Sequence, residues 1–129
     1  DLLALQRPTG AGTLYKYGAA PSYLKRGGCV TRVTGQSLPA GLQQGADGPE
    51  STRLSLPAGS FFVMVSDGVA DETDDEWLQN LMAGWSGQSA EALASLILSE
   101  SRTRRGLRDD CAVLVLHLPK MEDSPPRQV

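Results

Sequence analysis

Two aspartates lie beside the two most apolar segments of the chain. Asp67 follows the apolar run at residues 61–65 and precedes Gly68, and Asp109 precedes a second apolar run at residues 111–118. If the two runs form neighbouring strands, both carboxylates lie at one edge of the same sheet. Clustered carboxylates repel one another, and a hard divalent cation such as Mg²⁺ or Mn²⁺ removes that repulsion. Such a cation can hold water and phosphate oxygens, which suits hydrolysis of a phosphate ester.

The same positions also have a simpler interpretation. Asp before Gly, as at Asp67, is a common signal for a turn. A pair of aspartates before a strand, as at residues 109 and 110, often marks only a solvated boundary. From the residue types alone, a turn and a strand cap are favoured over metal binding.

Other polar side chains are expected to be structural. His117 is the sole histidine, and no Ser or Cys nucleophile motif accompanies it, so a structural position on its strand is favoured over catalysis. Lys25, Arg26 and Arg32 could contact a phosphate, although a solvated hairpin is the expected setting for all three.

The composition excludes several classes of function. The 129 residues carry a net charge of −3 and are 5% aromatic, which argues against a nucleic-acid surface. No apolar run approaches the ~20 residues that a membrane-spanning helix needs. Cys29 and Cys111 form no CxxC pair, so neither a zinc site nor a disulfide framework is indicated. Both are expected to be small buried hydrophobes in a reducing, cytoplasmic location.

The first half of the chain is predicted to consist of strands and turns. Strands are expected at residues 2–6, 13–17, 23–26, 29–34, 51–56 and 60–66. Gly27 and Gly28 indicate the turn of a hairpin. The run at 61–65 is apolar on both faces, which is typical of a central strand covered from both sides.

The second half is predicted to contain two consecutive helices. Thr73 and Glu76 fit a capping box at the start of the first. Five acidic residues between positions 71 and 76 complement the positive end of that helix. Apolar residues then follow at helical spacing: Trp77, Leu78, Leu81, Met82 and Trp85.

The second helix is expected to begin after a Ser89 cap and to stop at Gly106. Its buried stripe is predicted to comprise Leu93, Leu96 and Ile97. Arginines in its last turn complement the negative helix end: Arg102, Arg104 and Arg105. We expect one folded unit at residues 1–120, followed by a flexible tail at 121–129.

Four segments occur in an order and at a spacing that are similar to those of a known family. They are residues 16–26, 37–42, 64–69 and 109–113. The chain resembles the C-terminal part of the phosphatase domain of the stage II sporulation protein E family, which is a branch of the PPM class of metal-dependent serine/threonine protein phosphatases. The resemblance covers positions 1 to about 118, and the stretch at 102–106 is also similar to this branch.

The resemblance implies an α+β fold, an incomplete PPM-type α-β-β-α sandwich of mostly antiparallel strands with two consecutive helices. It implies a binuclear Mn²⁺ or Mg²⁺ centre, with Asp67 and Asp109 as metal ligands and Asp110 as a neighbour. In the family, a metal-bound water attacks the phosphoserine phosphorus directly. The implied substrate and partner is a phosphorylated anti-anti-sigma factor, whose dephosphorylation frees a sigma factor.

One departure from the family pattern concerns its first metal motif, an Asp-Gly pair that would precede Asp1. The chain is therefore expected to be an excised fragment that has little phosphatase activity alone, and to self-associate or pair with the missing N-terminal part of the domain. The resemblance also makes a membrane anchor in an N-terminal region plausible. The alternatives are a catalytically silent interaction module that binds a sigma-factor regulator, and a hydrolase of small phosphate esters.

Overall fold

Seven strands and two helices form the described part of the chain, which comprises residues 1–6, 9–16, 20–34, 50–106 and 110–120 of a computed structural model. The strands are Leu2–Leu5 (β1), Ala11–Lys16 (β2), Ser22–Arg26 (β3), Cys29–Val33 (β4), Glu50–Ser55 (β5), Phe61–Val65 (β6) and Val113–His117 (β7). The helices are Glu76–Gly84 (α1) and Ala90–Arg105 (α2). The strand pairs in these ranges are antiparallel, which confirms the predicted α+β class. The predicted tail at 121–129 lies outside the described residues.

The strands form two sheets, one in the order β1-β2-β5 and the other in the order β4-β3-β6-β7. Leu14 of β2 and Phe62 of β6 are buried in one apolar cluster, so the first sheet packs against the second. Val63 of β6 is buried in another cluster with Leu78 of α1 and Leu93 of α2, so the helices cover the opposite face. The molecule therefore has three layers: sheet, sheet and helices.

Strand β6 lies between β3 and β7 in the four-stranded sheet and pairs with β7 along its whole length. Phe61, Phe62 and Val63 are at most 2% exposed. They alternate between the two apolar clusters because successive side chains of a strand point to opposite faces. The prediction of a central strand covered on both faces is confirmed. Strand β6, which precedes Asp67, and strand β7, which follows Asp109, are therefore neighbours in the sheet.

The hairpin of β3 and β4 turns at Gly27 and Gly28, as predicted. Gly27 has a φ of +58°, in the left-handed region that glycine adopts without steric cost. The expectation that Lys25 is solvated is wrong, since α1 packs across β3 and β4 and leaves this residue 6% exposed. The expectation that Cys29 is buried is also wrong, because β4 is an edge strand and Cys29 is exposed.

Helix α1 begins without the predicted capping box. Asp75 occupies the N-cap position and makes no capping hydrogen bond through its side chain. The hydroxyl of Thr73 donates to Asp71 instead, at 2.6 Å. The capping prediction is wrong because tertiary contacts engage this segment, and the Asp75 carboxylate accepts hydrogen bonds from Tyr23 and Arg32. Arg32 is therefore ion-paired rather than simply solvated.

Helix α2 is capped by Ser89, as predicted, because its hydroxyl oxygen accepts from the backbone N–H three residues later at 3.1 Å. It ends at Gly106, whose φ is +71°. Leu93 and Ile97 are fully buried, but Leu96 is 39% exposed, so its predicted place on the buried stripe is wrong. The helix packs on the edge strand β7, and the sheet therefore covers only a narrow stripe of it. Neither described helix is long and apolar enough to cross a membrane.

His117 packs against the core at the end of β7. Its ring is stacked on that of Phe61, with centroids 4.0 Å apart and an interplanar angle of 6°. Its Nε2 atom is buried and has no hydrogen-bond partner among the described residues. Burial lowers the pKa of His117 from its ordinary value of 6.5.

The lowered pKa of His117 is expected to make the fold less stable at mildly acidic pH. The unfolded chain protonates this imidazole at pH values at which the folded state keeps it neutral, so stability is lost as the pH falls below about 6.5. The His117→Phe variant keeps a ring stacked on Phe61 but has no imidazole to protonate. Its stability should therefore fall less between neutral and mildly acidic pH. Thermal melts at about pH 7.5 and 5.5 check the prediction, and equal losses in both proteins would contradict it.

Candidate metal centre

Asp67 lies just beyond the end of β6, in a turn that opens with Ser66. The Val69 N–H donates to the Ser66 carbonyl at 2.9 Å, which folds the chain back at this point. The Asp67 side chain is exposed, and its carboxylate makes no hydrogen bond or ion pair with the described residues, whereas Gly68 beside it is buried. The backbone is therefore anchored while the carboxylate is available to a ligand.

Ser66 ties this turn to the segment that leads into β7. Its N–H donates to the Ala112 carbonyl at 3.0 Å, and the Ala112 N–H donates to its hydroxyl oxygen at 2.9 Å. The Ser66 hydroxyl in turn donates to the Asp110 carbonyl at 3.2 Å. The turn that carries Asp67 thus lies against residues 110–112. Asp109, the second predicted ligand, directly precedes this segment and is itself outside the described residues.

Arg105, the last residue of α2, binds the loop that follows β6 at three points. Its Nη1 donates to the carbonyl oxygen of Asp67 at 2.7 Å, its Nη2 to the Asp71 carboxylate at 3.1 Å, and its Nε to the Asp74 carboxylate at 3.3 Å. Hydrogen bonds from the Thr73 hydroxyl and N–H, followed by the one from Arg105, lower the pKa of Asp71. The arginine therefore fixes the backbone of Asp67. Arg105 itself lies only four positions before Asp109 along the chain.

Sequence reasoning missed this role of Arg105, which was expected to complement the end of its own helix or, as the less favoured alternative, to contact an acidic partner. The signal in the sequence is weak: an acidic run at 71–76 and a basic run at 102–105 have opposite charges, but nothing in their spacing pairs them. Because 38 positions separate Arg105 from Asp67, only the packing of α2 on β7 brings them together.

The chemistry of the available donors fits a hard divalent cation at Asp67. Carboxylate oxygens are the ligands that Mg²⁺ and Mn²⁺ prefer. The nearby carboxylates of Asp71 and Asp74 are engaged by Arg105, so Asp67 is the one of these three that is available. The described residues contain no group of three or more His, Cys, Asp or Glu side chains that could hold a metal by itself.

The family model and the curated relatives identify the same family. The model of the family described as stage II sporulation protein E matches residues 1–119. Stage II sporulation protein E of Bacillus subtilis (strain 168) is 31% identical over 125 residues, which cover 92% of this chain and 15% of the relative.

Solved structures share the fold. The phosphatase domain of the cell fate determinant SpoIIE from Bacillus subtilis, presoaked with manganese, has a TM-score of 0.77 and 27% identity, covering 97% of this chain and 57% of that one. The PP2C phosphatase domain of the same determinant, solved with a fragment of its regulatory domain, has a TM-score of 0.75 and 29% identity, covering 84% of this chain and 35% of that one.

The chain thus spans a small share of the curated relative and just over half of the first of these solved domains. Its two antiparallel sheets and two helices match the fold of a PP2C phosphatase domain, as the resemblance implied. Since the family model matches nearly every position, the chain belongs to the stage II sporulation protein E family.

Proposed function

We propose that this chain is part of a metal-dependent protein serine/threonine phosphatase in which Asp67 and Asp109 bind Mn²⁺ or Mg²⁺. One observation carries the proposal: the Asp67 carboxylate, which has no partner among the described residues, sits on a turn that is hydrogen-bonded to the residues directly after Asp109. Membership of the family and the manganese presoak of the SpoIIE phosphatase domain support it.

Each residue of the proposed centre has a distinct task. Asp67 and Asp109 supply hard oxygen ligands, with Asp110 as a neighbouring carboxylate. Ser66 ties the turn that carries Asp67 to residues 110–112, and Arg105 binds the Asp67 carbonyl, so the position of the Asp67 backbone is set before a metal binds. When bound, a divalent cation neutralises phosphate charge and lowers the pKa of a coordinated water.

The proposed substrate is a phosphoserine on an anti-anti-sigma factor, which is the protein partner that the family resemblance implies. The test uses the full protein encoded by the reading frame around this chain. Phosphate release from a phosphoserine protein should need Mn²⁺ or Mg²⁺ and should exceed release from small esters such as p-nitrophenyl phosphate. Efficient turnover of small esters with none of the phosphoprotein would favour the general hydrolase instead.

Alone, the 129-residue chain is proposed to have little activity, because two ligands make at most half of a binuclear centre. Leu2 of β1 and Leu114 of β7 are each 63% exposed on edge strands, which supports self-association or pairing with another part of the domain. Sedimentation of the isolated chain tests this, and a monodisperse monomer would count against it.

A catalytically silent interaction module that binds a sigma-factor regulator is the second candidate. The sequence that precedes Asp1 separates the two candidates. An Asp-Gly metal motif there supports the enzyme, and its absence supports the silent module.

Replacing Arg105 with glutamine is expected to weaken Mn²⁺ binding by the full protein about tenfold, because ligand positioning is lost while both ligands remain. Paramagnetic resonance of free Mn²⁺ measures the affinity. Arg104→Gln is the matched control, since Arg104 lies next to it, is half-exposed and pairs with Glu100 instead. Equal Mn²⁺ affinity in the two variants would show that Arg105 does not position the centre.

A further inference from the structure

A pocket of about 400 Å³ lies at the end of the four-stranded sheet opposite to Asp67. It is bordered by the β3–β4 turn, the turn before β6, and the chain that leaves α1, and it opens to solvent. The side chains that matter here are Lys25, Arg26, Phe61, Trp85 and Lys120. Its volume is within the range of small-molecule sites.

The pocket is positively charged although the chain as a whole is not. Lys25, Arg26 and Lys120 line it, and none of the described residues in its lining is acidic. The chain has a net charge of −3, so three cations with no carboxylate among the described lining residues are a local departure from that overall balance. Concave surfaces lined by charge of one sign concentrate ions of the opposite sign.

Lys25 is the unusual member of this cluster. It is only 6% exposed, and within the described ranges its Nζ has a single hydrogen bond, to the Ala83 carbonyl at 3.4 Å, and no ion pair. An ammonium has three donors, and a buried charge without a counter-charge is costly. Burial accordingly lowers the pKa of Lys25. An anion in the pocket would supply both the missing acceptors and the missing charge.

One wall of the pocket is apolar, and contacts between aromatic rings hold it in place. The Trp85 ring meets Phe61 edge to face, with centroids 5.0 Å apart, and Phe61 is stacked on His117. Such a surface suits a ring or another apolar body beside the charged group of a ligand.

We propose that this pocket is a binding site for a small organic phosphate monoester, with the phosphate at Lys25, the exposed cations Arg26 and Lys120 along the lining, and the apolar body on Trp85. Three positive groups favour a phosphate, which carries nearly two negative charges near neutral pH, over a singly charged carboxylate. Phe61 begins β6 and Asp67 lies beyond its other end, so the strand alone separates them by about 13 Å, and a ligand here does not reach the proposed metal centre. The inference is independent of the proposed catalytic function.

Calorimetric titration of the full protein with phenyl phosphate, in the presence of EDTA, tests the site without any metal-dependent binding. Binding is expected, with affinity at least about tenfold higher than for benzyl alcohol or phenylacetate. Lys25→Met, which keeps the buried stem but not the charge, should weaken binding about tenfold or more. Its thermal stability should be equal to or above that of the parent, because a buried unpaired charge is removed.

Two further variants keep the test decisive. Arg53→Gln removes one exposed cation from the other sheet and should leave the affinity within about twofold. If Lys25→Met fails to fold, the double variant Arg26→Gln, Lys120→Gln changes only exposed residues and should also weaken binding about tenfold. Unchanged affinity in the charge-removal variants, or equal affinity for benzyl alcohol or phenylacetate, would overturn the proposal.

Discussion

Replacing Asp67 with asparagine is expected to lower the manganese-dependent phosphatase activity of the full protein by about a hundredfold or more. The carboxylate is exposed and has no partner among the described residues, so its proposed task is to bind the metal rather than to support the fold. The amide has the same shape but lacks the negative charge that a hard cation requires. Phosphate release from a phosphoserine protein, measured over a series of Mn²⁺ concentrations, gives the result.

The control for this variant is Glu91→Gln, which removes one exposed carboxylate from the first turn of α2. It should leave activity unchanged. Both variants should melt close to the parent temperature, because neither side chain contributes to the core. If Asp67→Asn retains normal turnover with normal Mn²⁺ dependence, the assignment of Asp67 as a metal ligand is rejected.

Replacing Asp75 with alanine is expected to lower the free energy of unfolding by about 3 kcal/mol, because a buried charged acceptor is removed from its partners. Asp75 is 4% exposed. Its carboxylate accepts from the Tyr23 hydroxyl at 2.8 Å, from the Arg32 guanidinium at 3.1 Å and from the Gln79 amide at 3.2 Å. Burial, followed by the hydrogen bond to Asp75, raises the pKa of Tyr23, so its hydroxyl stays protonated and donates.

Chemical denaturation of Asp75→Ala and of Asp74→Ala measures this effect with a matched pair of variants. Asp74 is the adjacent aspartate, but it is 60% exposed and its ion pair with Arg105 lies at the surface. Its loss should cost less than about 1 kcal/mol. Equal destabilisation by the two substitutions would show that the contacts of Asp75 with the β3–β4 hairpin do not hold α1 in place.

The sequence was informative where local pattern and burial agree. The apolar run of β6 could be predicted as a central strand because both its faces lack polar side chains. Other elements must pack on both faces of such a strand to bury them. The Gly27 turn and the Ser89 cap are equally local signals. The placement of Asp67 at the end of a strand next to β7 follows from these elements and from the pairing of β6 with β7.

Contacts between distant positions could not be predicted from the pattern. Tyr23 and Asp75 are 52 positions apart, and their hydrogen bond engages the residue that occupies the N-cap position of α1. The local sequence pattern that predicted a capping box gives no sign of this contact. Arg105 reaches the loop after β6 only because α2 packs on β7. Lys25 was expected in solvent because a hairpin strand alone gives no sign of the helix that covers it.

The central claim is that folding brings Asp67 and Asp109 together on one divalent cation. Anomalous diffraction at the manganese edge, from crystals of the full protein grown with Mn²⁺, tests it most directly. We expect a manganese peak within coordination distance of both carboxylates, about 2.0–2.6 Å from an oxygen of each. A structure with the two carboxyl groups on different sides of the molecule, or with manganese bound elsewhere and neither aspartate among its ligands, would contradict the account.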